Sequence, residues 1–122
     1  LAGSTFIGTN ADSNLPNEKG LTPGAGALIQ LVAYATAVKG IKPIMIGKPE
    51  PLIMELALQK SGLAKADVVM VGDNYQTDIL AGIHTGIDTL LVYTGVSTPA
   101  QVAKQAQQPT HTVPTLDEWH LI

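Results

Sequence analysis

The chain has 122 residues, of which 45% are hydrophobic, so it is long enough for one domain with an apolar core and has the composition of a soluble globular protein. Its 7 basic residues are all lysines and stand against 10 acidic residues; the resulting formal net charge of -3 argues against nucleic-acid binding, which needs a basic face and usually arginine forks. The lack of cysteine excludes disulfides and thiolate metal sites.

The sequence shows no membrane-spanning or targeting pattern. No apolar run approaches the roughly 20 residues of a membrane span, and the chain does not open with a basic and apolar leader. We therefore expect no membrane partner and a cytoplasmic location. Only a segment upstream of Leu1 could carry an export signal.

The first third of the chain predicts a strand, a loop and a long helix. Residues 5–8 are typical of a strand and residues 10–23 of a long polar loop, and residues 24–39 predict a helix that ends at Gly40. This helix is apolar nearly all round, so it must be covered on two sides. Two interpretations stay open: the helix is central in this domain, or part of its cover comes from an N-terminal half outside this chain.

Strands and helices alternate along the rest of the chain. This order is typical of parallel strands joined by right-handed crossovers, and it predicts an α/β fold with a Rossmann-like parallel sheet and helices on both faces. The predicted strands are residues 43–46, 67–71, 88–93 and 110–113, and the predicted helices are residues 51–61, 77–85 and 98–107.

The strand at residues 43–46 leads to a candidate phosphate-binding lysine. Gly47 and Lys48 follow it, before a helix with Pro51 in its first turn. Ligands of parallel sheets bind in the crevice at the carboxyl ends of the strands, where Lys48 would point. A lysine there can neutralise charge on a phosphoryl group and on the carboxylate that attacks it. The alternative is a solvated loop lysine, the commoner fate of this residue type.

The apolar run from Val68 to Val71 predicts a strand buried on both faces. It gives way to Gly72 and Asp73, and Asp78 follows in the first turn of the next helix. Two such carboxylates can converge on one hydrated cation, and hard oxygen ligands with retained waters suit Mg²⁺. In the alternative interpretation Asp73 only caps the turn and Asp78 only complements the helix dipole.

The histidines and an early glycine pair indicate no site. His84, His111 and His120 lack the spacing of metal ligands, and we assign them no role. Gly24 and Gly26 follow no close strand and lack the third glycine of a dinucleotide fingerprint, so we expect no cofactor of that kind.

Five segments carry a resemblance to a known superfamily. They are Lys48-Pro49; Gly72-Asp73-Asn74 with Thr77 to Gly82; Thr94 to Ser97; Phe6 to Asp12; and Pro23 to Ala27. In this order the chain resembles the haloacid dehalogenase (HAD) superfamily, and within it the NagD-like phosphatases of subfamily IIA, which carry a large inserted cap. The resemblance covers nearly the whole chain. It implies the end of the cap at residues 1–23 and the C-terminal half of a HAD-like core at residues 24–122.

The resemblance also implies roles for individual residues. The position of Asp73 binds Mg²⁺ in the family, that of Asp78 supports the metal through water or hydrogen bonds, and that of Lys48 holds the nucleophile and the phosphate. The loop from Asn10 to Pro16 would be the end of the cap that hangs over the substrate. We therefore expect Lys48, Asp73 and Asp78 to be catalytic, Asp73 and Asp78 to form the metal site, and Asn10, Asp12, Lys48 and Asn74 to contact substrate.

One departure from the family concerns the nucleophile. The Asp-x-Asp-Gly-Thr segment that supplies it is not found in this chain, and Ala11 stands where the family usually has proline. We expect the complete protein to hydrolyse a small phosphorylated metabolite through an aspartyl-phosphate, with the nucleophile outside these residues. The 122 residues alone are expected to be inactive, and to pair with the N-terminal half or with a second copy.

Two other classes of function stay open from the sequence. The first is a noncatalytic fragment that binds metal and phosphate or only associates with itself; a reading frame that continues upstream of Leu1 into an Asp-x-Asp-Gly segment would argue against it. The second is a receiver or flavodoxin-like binding domain, which shares the alternation. Such a domain would place its acidic residues at early strand tips, which this chain does not.

Overall fold

The structure is a computed structural model of the chain and describes residues 2–120. The chain divides into two compact units, and the division falls between Gly47 and Lys48. Among the described residues, no helix combines the length and the apolar character needed to cross a membrane. The predicted boundary between cap and core at residue 23 concerns the complete protein and stays a prediction.

The first unit contains short strands and a long α-helix. Its elements are β1 (Ile7–Gly8), β2 (Asn14–Asn17), β3 (Gly20–Pro23), α1 (Ala25–Thr36), a 3-10 turn (Ala37–Lys39) and β4 (Ile44–Met45). Strands β1 and β4 are parallel, whereas β2 and β3 are antiparallel.

The β2–β3 hairpin corrects the prediction of a loop over residues 10–23. Asn17 pairs with Gly20, so Glu18 and Lys19 form the tight connection between the strands. The side chain of Asn17 accepts a hydrogen bond from the backbone N–H of Lys19 at 2.8 Å, which mimics a backbone turn. Gly20 has a φ of 125°, a conformation open to glycine and rarely to other residues. The polar residues that suggested a loop therefore make the turn of a hairpin.

Helix α1 is three residues shorter at its end than the predicted helix over residues 24–39, because Ala37–Lys39 form a 3-10 turn, and many of its apolar side chains are exposed. It ends through the 3-10 turn at Gly40, whose φ of 68° is left-handed. Gly26, Ile29 and Thr36 are buried. Several large apolar side chains of this segment remain exposed, namely Leu28, Leu31, Val32, Tyr34 and Val38. This pattern favours the interpretation in which part of the helix's cover lies outside this chain.

The second unit is a three-stranded parallel sheet with helical segments between its strands. The sheet has the order β5–β6–β7, and both neighbouring pairs are parallel. The α/β class and the parallel pairing are therefore as predicted. The elements are α2 (Leu52–Ser61), a 3-10 turn (Lys65–Asp67), β5 (Val69–Gly72), a π-helical turn (Tyr75–Ile79), α3 (Leu80–Thr85), β6 (Asp88–Val92), α4 (Pro99–Val102), β7 (His111–Val113) and a 3-10 turn (Leu116–Glu118).

The core of the second unit forms on the central strand β6. Leu91 is fully buried and clusters with Tyr75, Ile79 and Val102, which come from the helical segments on either side of it in sequence. Successive side chains of a strand point to opposite faces, so Leu90, also fully buried, lies on the other face of the sheet. Strand β6 thus lies at the centre of this sheet, is paired with β5 and β7, and carries the core of the unit.

Strand β5 is more exposed than predicted. Val69 is 36% exposed and Val71 42% exposed, so the strand is not buried on both faces. Its continuous apolar character would suit a central strand, but β5 lies at one end of the described sheet, with β6 on one side only. The prediction was wrong because it inferred burial from apolar character alone, whereas burial requires another element that packs against the strand.

Helix α4 is shorter than the predicted helix over residues 98–107. Thr98 and Gln101 form a capping box that starts it as expected. The helix ends after Val102, and in the turns that follow it the side-chain amide of Gln108 donates to the carbonyls of Val102 and Gln105 at 3.0 and 2.8 Å.

Candidate active site

The site begins where β5 ends. Gly72 is the last residue of the strand, and Asp73 and Asn74 follow it directly. A Cβ atom on Gly72 would lie 2.2 Å from the Cβ of Asp78, far closer than two carbons can approach. The glycine is therefore required for Asp78 to pack against the strand tip.

A π-helical turn carries Asp78 to this position. The side-chain oxygen of Asn74 accepts the backbone N–H of Gln76 at 3.0 Å and caps the turn. The Asn74 carbonyl accepts from the N–H groups of Asp78 and Ile79 at 2.9 and 3.4 Å, so the turn holds one more residue than a regular α-helical turn. The helical segment thus starts two residues before the predicted Thr77. Single π turns of this kind occur frequently at functional sites.

Asp78 forms an ion pair with Lys48. One carboxylate oxygen of Asp78 accepts from the Lys48 ammonium, and the other accepts from the backbone N–H of Asn74 at 3.2 Å. The Asp78 side chain is only 8% exposed, whereas that of Lys48 is 44% exposed. The lysine is thus held at one end of a buried carboxylate and still reaches solvent, where a phosphate could meet it.

Asp73 is held by the loop that follows β6. Its Oδ2 accepts the backbone N–H of Val96 at 2.9 Å, and its carbonyl accepts the N–H of Ser97 at 3.0 Å. A Cβ on Gly95 would lie 1.8 Å from the same Oδ2, so the loop passes directly over the carboxylate. Among the described residues, Oδ1 of Asp73 accepts no hydrogen bond.

The donor atoms fit a partial magnesium site. Asp73 offers one carboxylate oxygen without a protein partner among the described residues, as a direct metal ligand requires, whereas both oxygens of Asp78 are engaged by protein donors. Asp78 therefore suits the supporting role better than direct ligation. Within residues 2–120 no three histidine, cysteine, aspartate or glutamate side chains come together as a set of metal ligands. Mg²⁺ usually keeps several waters and takes only one or two carboxylates, so this small set is compatible with it.

Ser97 and Tyr75 are hydrogen-bonded to each other next to Asp73 and Asn74. Tyr75 donates from its backbone N–H to the Ser97 hydroxyl at 2.8 Å and from its own hydroxyl to the Gln107 carbonyl at 2.6 Å. Burial raises the pKa of the Tyr75 hydroxyl above its ordinary value. Beside these residues lies a cavity of about 190 Å³ with a lining that includes Asn74, Gln76 and Gln101.

The structure brings together four of the six residues predicted for the site. Lys48, Asp73, Asn74 and Asp78 all belong to the second unit and lie around the tip of β5. The other two, Asn10 and Asp12, belong to the first unit, where the Asn10 side chain accepts the N–H of Asp12 at 3.1 Å. Their contact with substrate stays a prediction.

Two residues near the site had no predicted role. Ser97 lies in one of the five segments that carry the family resemblance, but the sequence predicts no role for Ser97 itself. It predicts none for His84 either. His84 Nδ1 lies 2.8 Å from the carbonyl oxygen of Pro49, next to Lys48 in sequence. No periodicity or spacing indicates this contact, because it joins elements that are distant along the chain.

Comparisons with known proteins identify relatives of this chain. The model of the family described as HAD-hydrolase-like matches residues 45–119. The chain is 46% identical over 117 residues to the 5'-nucleotidase YutF of Bacillus subtilis, covering 96% of this chain and 44% of that protein. It is 49% identical over 116 residues to an acid sugar phosphatase of Staphylococcus aureus, covering 95% and 44%.

Solved structures with a fold similar to that of this chain include two phosphatases. A double mutant of the thermostable NPPase from Geobacillus stearothermophilus superposes with a TM-score of 0.87 at 50% identity, covering 97% of this chain and 45% of that one. The p-nitrophenyl phosphatase from Archaeoglobus fulgidus superposes with a TM-score of 0.81 at 35% identity, covering 93% and 44%. The chain therefore spans less than half the length of these relatives.

Proposed function

Since the chain belongs to the HAD-hydrolase-like family, in its NagD-like branch, we propose that the complete protein is a magnesium-dependent phosphatase that acts on small phosphorylated metabolites. The observation that carries the proposal is the Lys48–Asp78 ion pair beside Asp73 at the tip of β5. At the tip of β5 this arrangement offers one cationic group and one carboxylate oxygen that has no partner among the described residues, and ligands of parallel sheets bind at such strand tips.

Lys48 neutralises charge as the phosphoryl group is transferred. Its ammonium reaches solvent, so it can donate to a phosphate oxygen while Asp78 keeps it in place. A preorganised cation of this kind stabilises the transition state without having to reorganise during the reaction. Phosphoryl transfer depends mainly on positioning and on charge stabilisation, which makes this contribution large.

Asp73 would hold Mg²⁺ through its free oxygen, with Asp78 as a supporting group. When bound, the metal acts as a Lewis acid on the phosphate oxygens. The loop over Gly95 and Val96 keeps the Asp73 carboxylate in one orientation through the 2.9 Å hydrogen bond to Oδ2. Asp73 is thus prepared for one geometry of ligation before any ligand arrives.

The nucleophile comes from outside these residues. In the proposed reaction a carboxylate of the N-terminal half attacks phosphorus, the bond between phosphorus and the ester oxygen breaks, and the leaving alkoxide takes a proton from solvent water to become the alcohol. Water then attacks the aspartyl-phosphate and releases inorganic phosphate, which restores the carboxylate. Residues 2–120 contribute the cation, the metal ligand and part of the substrate pocket.

The substrate is a phosphate monoester of a small metabolite, the class to which nucleotides and sugar phosphates belong. Asn74 follows Asp73 directly, and we propose that it contacts the substrate. For Asn10 and Asp12 the proposed contact with substrate rests on the family resemblance alone. The proposal includes a cytoplasmic location.

A noncatalytic role is the second candidate, and one observation favours it. The apolar side chains of β5 and α1 are exposed, which would promote association with another chain. If the 122 residues function by themselves, they should associate in light scattering and show no turnover of an aryl phosphate with Mg²⁺. A monomer with turnover would contradict both the missing nucleophile and this second candidate.

The test of the proposed function uses the complete gene product. We expect it to hydrolyse p-nitrophenyl phosphate and at least one member of a panel of sugar phosphates and 5'-nucleotides in the presence of Mg²⁺. A chelator should abolish the turnover, and added Mg²⁺ should restore it. A complete protein that is folded but inactive on the whole panel, at any Mg²⁺ concentration, would refute the proposal.

A further inference from the structure

His84 makes a contact that the reaction described above does not use. Its Nδ1 lies 2.8 Å from the carbonyl oxygen of Pro49. A carbonyl oxygen only accepts hydrogen bonds, so the Nδ1 atom must carry the hydrogen. The residue immediately before Pro49 is Lys48, the cation of the site.

The loop with Lys48 is therefore held at two points by one helical segment. Asp78, in the π turn, binds the Lys48 ammonium, and His84, near the end of α3, binds the neighbouring backbone carbonyl. The first contact fixes the tip of the side chain and the second fixes the backbone from which it extends. A lysine has four rotatable bonds, so holding the tip alone leaves the backbone free to move.

Helix α3 itself is fixed on the sheet. Ala81, Gly82 and Thr85 are buried. A Cβ on Gly82 would lie 2.4 Å from the Thr89 methyl carbon, so the helix and β6 are already in direct contact. His84 is exposed and lies outside this packed surface. Its hydrogen bond therefore ties the loop to a rigid element.

We propose that His84 is a positioning residue for Lys48, acting through the Pro49 carbonyl. This inference rests on the proposed function, because its effect on turnover requires Lys48 to be catalytic. His84 itself touches neither substrate nor metal in this proposal. Its contribution is to keep the lysine backbone where the ammonium reaches both Asp78 and the phosphate.

The first experiment compares three variants of His84 in the complete gene product. The side-chain amide of asparagine can place an N–H near the position of Nδ1, whereas that of glutamine places it near Nε2 and leucine has none. We expect His84→Leu and His84→Gln to lower kcat about fivefold to tenfold, the change that corresponds to losing one hydrogen bond. His84→Asn should stay within about twofold of the parent. His120→Asn, at an exposed histidine remote in sequence, is the matched control.

A double-mutant cycle separates positioning from a general loss of structure. If His84 acts through Lys48, then His84→Gln should have no further effect on kcat in a Lys48→Ala background. A merely structural role would lower the activity of both backgrounds by the same factor. Parental activity in all His84 variants, or an undiminished loss in the Lys48→Ala background, would overturn the proposal.

A second measurement needs no activity and so distinguishes this inference from the proposed function. Nitrogen NMR of the substrate-free protein should show the hydrogen of His84 on Nδ1. The backbone amide of Lys48 should become more mobile in His84→Gln and stay as in the parent in His84→Asn. A bare Nδ1, or an unchanged Lys48 amide in His84→Gln, would overturn the inference whether or not the protein is a phosphatase. An inactive parent with these NMR results would refute only the proposed function.

Discussion

Replacing Gly95 by alanine should disable the site through a single carbon atom. The added Cβ would lie 1.8 Å from Oδ2 of Asp73, whereas ordinary contacts begin at 3.4 Å, so one of the two atoms must move by about 1.6 Å. Rotation of the Asp73 side chain does not relieve the clash, because the Asp73 Cβ would also lie 2.8 Å away and is fixed to the backbone. Either the loop or the Asp73 backbone has to shift.

The expected loss of activity follows from that displacement. A misplacement of about 1 Å can lower the rate of an enzyme by about a hundredfold, so we expect Gly95→Ala to lower kcat/KM at least about a hundredfold. The hydrogen bond from Val96 to Oδ2 should be lost with it, and the Mg²⁺ concentration for half-maximal activity should rise. Both quantities come from p-nitrophenyl phosphate hydrolysis by the complete gene product across a Mg²⁺ series.

Gly62→Ala is the matched control, since it makes the same chemical change at another exposed glycine of the second unit. No heavy atom lies within 4 Å of the Cβ it would add, although its φ of 71° is unfavourable for alanine. It should lower stability by about 1 kcal/mol and leave the turnover of the folded protein unchanged. A Gly95→Ala protein with parental kcat/KM and the parental Mg²⁺ requirement would refute the assignment of Asp73 and its loop to the site.

Three further predictions concern single side chains. Lys48→Ala should lower kcat at least about a hundredfold, and Lys48→Arg should restore little of the lost activity. Lys104→Ala, at an exposed lysine, should leave kcat unchanged. An arginine variant as active as the parent would contradict the role of Lys48. Asp73→Asn should abolish Mg²⁺-dependent turnover with an unchanged circular dichroism spectrum, because asparagine keeps the shape and can still accept from Val96 but has no charge; retained activity at ordinary Mg²⁺ would exclude Asp73 as a ligand. Tyr75→Phe should lower the free energy of unfolding by about 1 kcal/mol at neutral pH, since the hydrogen bond to Gln107 is lost. Because the pKa of Tyr75 is raised in the folded protein, the unfolded protein loses the Tyr75 proton at a lower pH than the folded one. The free energy of unfolding of the parent should therefore fall as pH rises above about 10. Urea unfolding at neutral and alkaline pH should show a smaller fall in Tyr75→Phe.

The sequence predicted the positions of the candidate site residues better than the exposure of the elements that carry them. Glycine followed by a charged residue after an apolar run predicted Lys48 in the loop after β4 and Asp73 directly after β5, where the structure has them, and their roles stay predictions. Lys48 reaches the tip of β5 through its ion pair with Asp78 and not through pairing of the preceding strands, because β4 pairs with β1 and β5 pairs with β6. The exposure of Val71 was not predicted. An apolar side chain indicates that a strand is buried in the complete protein, but it does not show which part of the protein packs against that strand.

Turns and long-range contacts account for the remaining differences. The hairpin at residues 14–23 depends on the Asn17 side chain and on the φ of Gly20, which composition alone treats as loop signals. The contact between His84 and Pro49 depends on how α3 lies on the sheet. Such a contact between distant segments leaves no periodic pattern in the sequence.

The π turn at Tyr75–Ile79 has a consequence for how this part of the gene can change. The turn holds one residue beyond the regular α-helical count, and Asp78, which pairs with Lys48, lies inside it. Deletion of one codon between those of Asn74 and Asp78 would shorten the turn by one residue and displace the Asp78 carboxylate from the Asn74 N–H and the Lys48 ammonium that donate to it. Exchanges of one amino acid for another leave the count intact. Selection should therefore tolerate many codon substitutions across this stretch while removing every frame-preserving deletion of one codon.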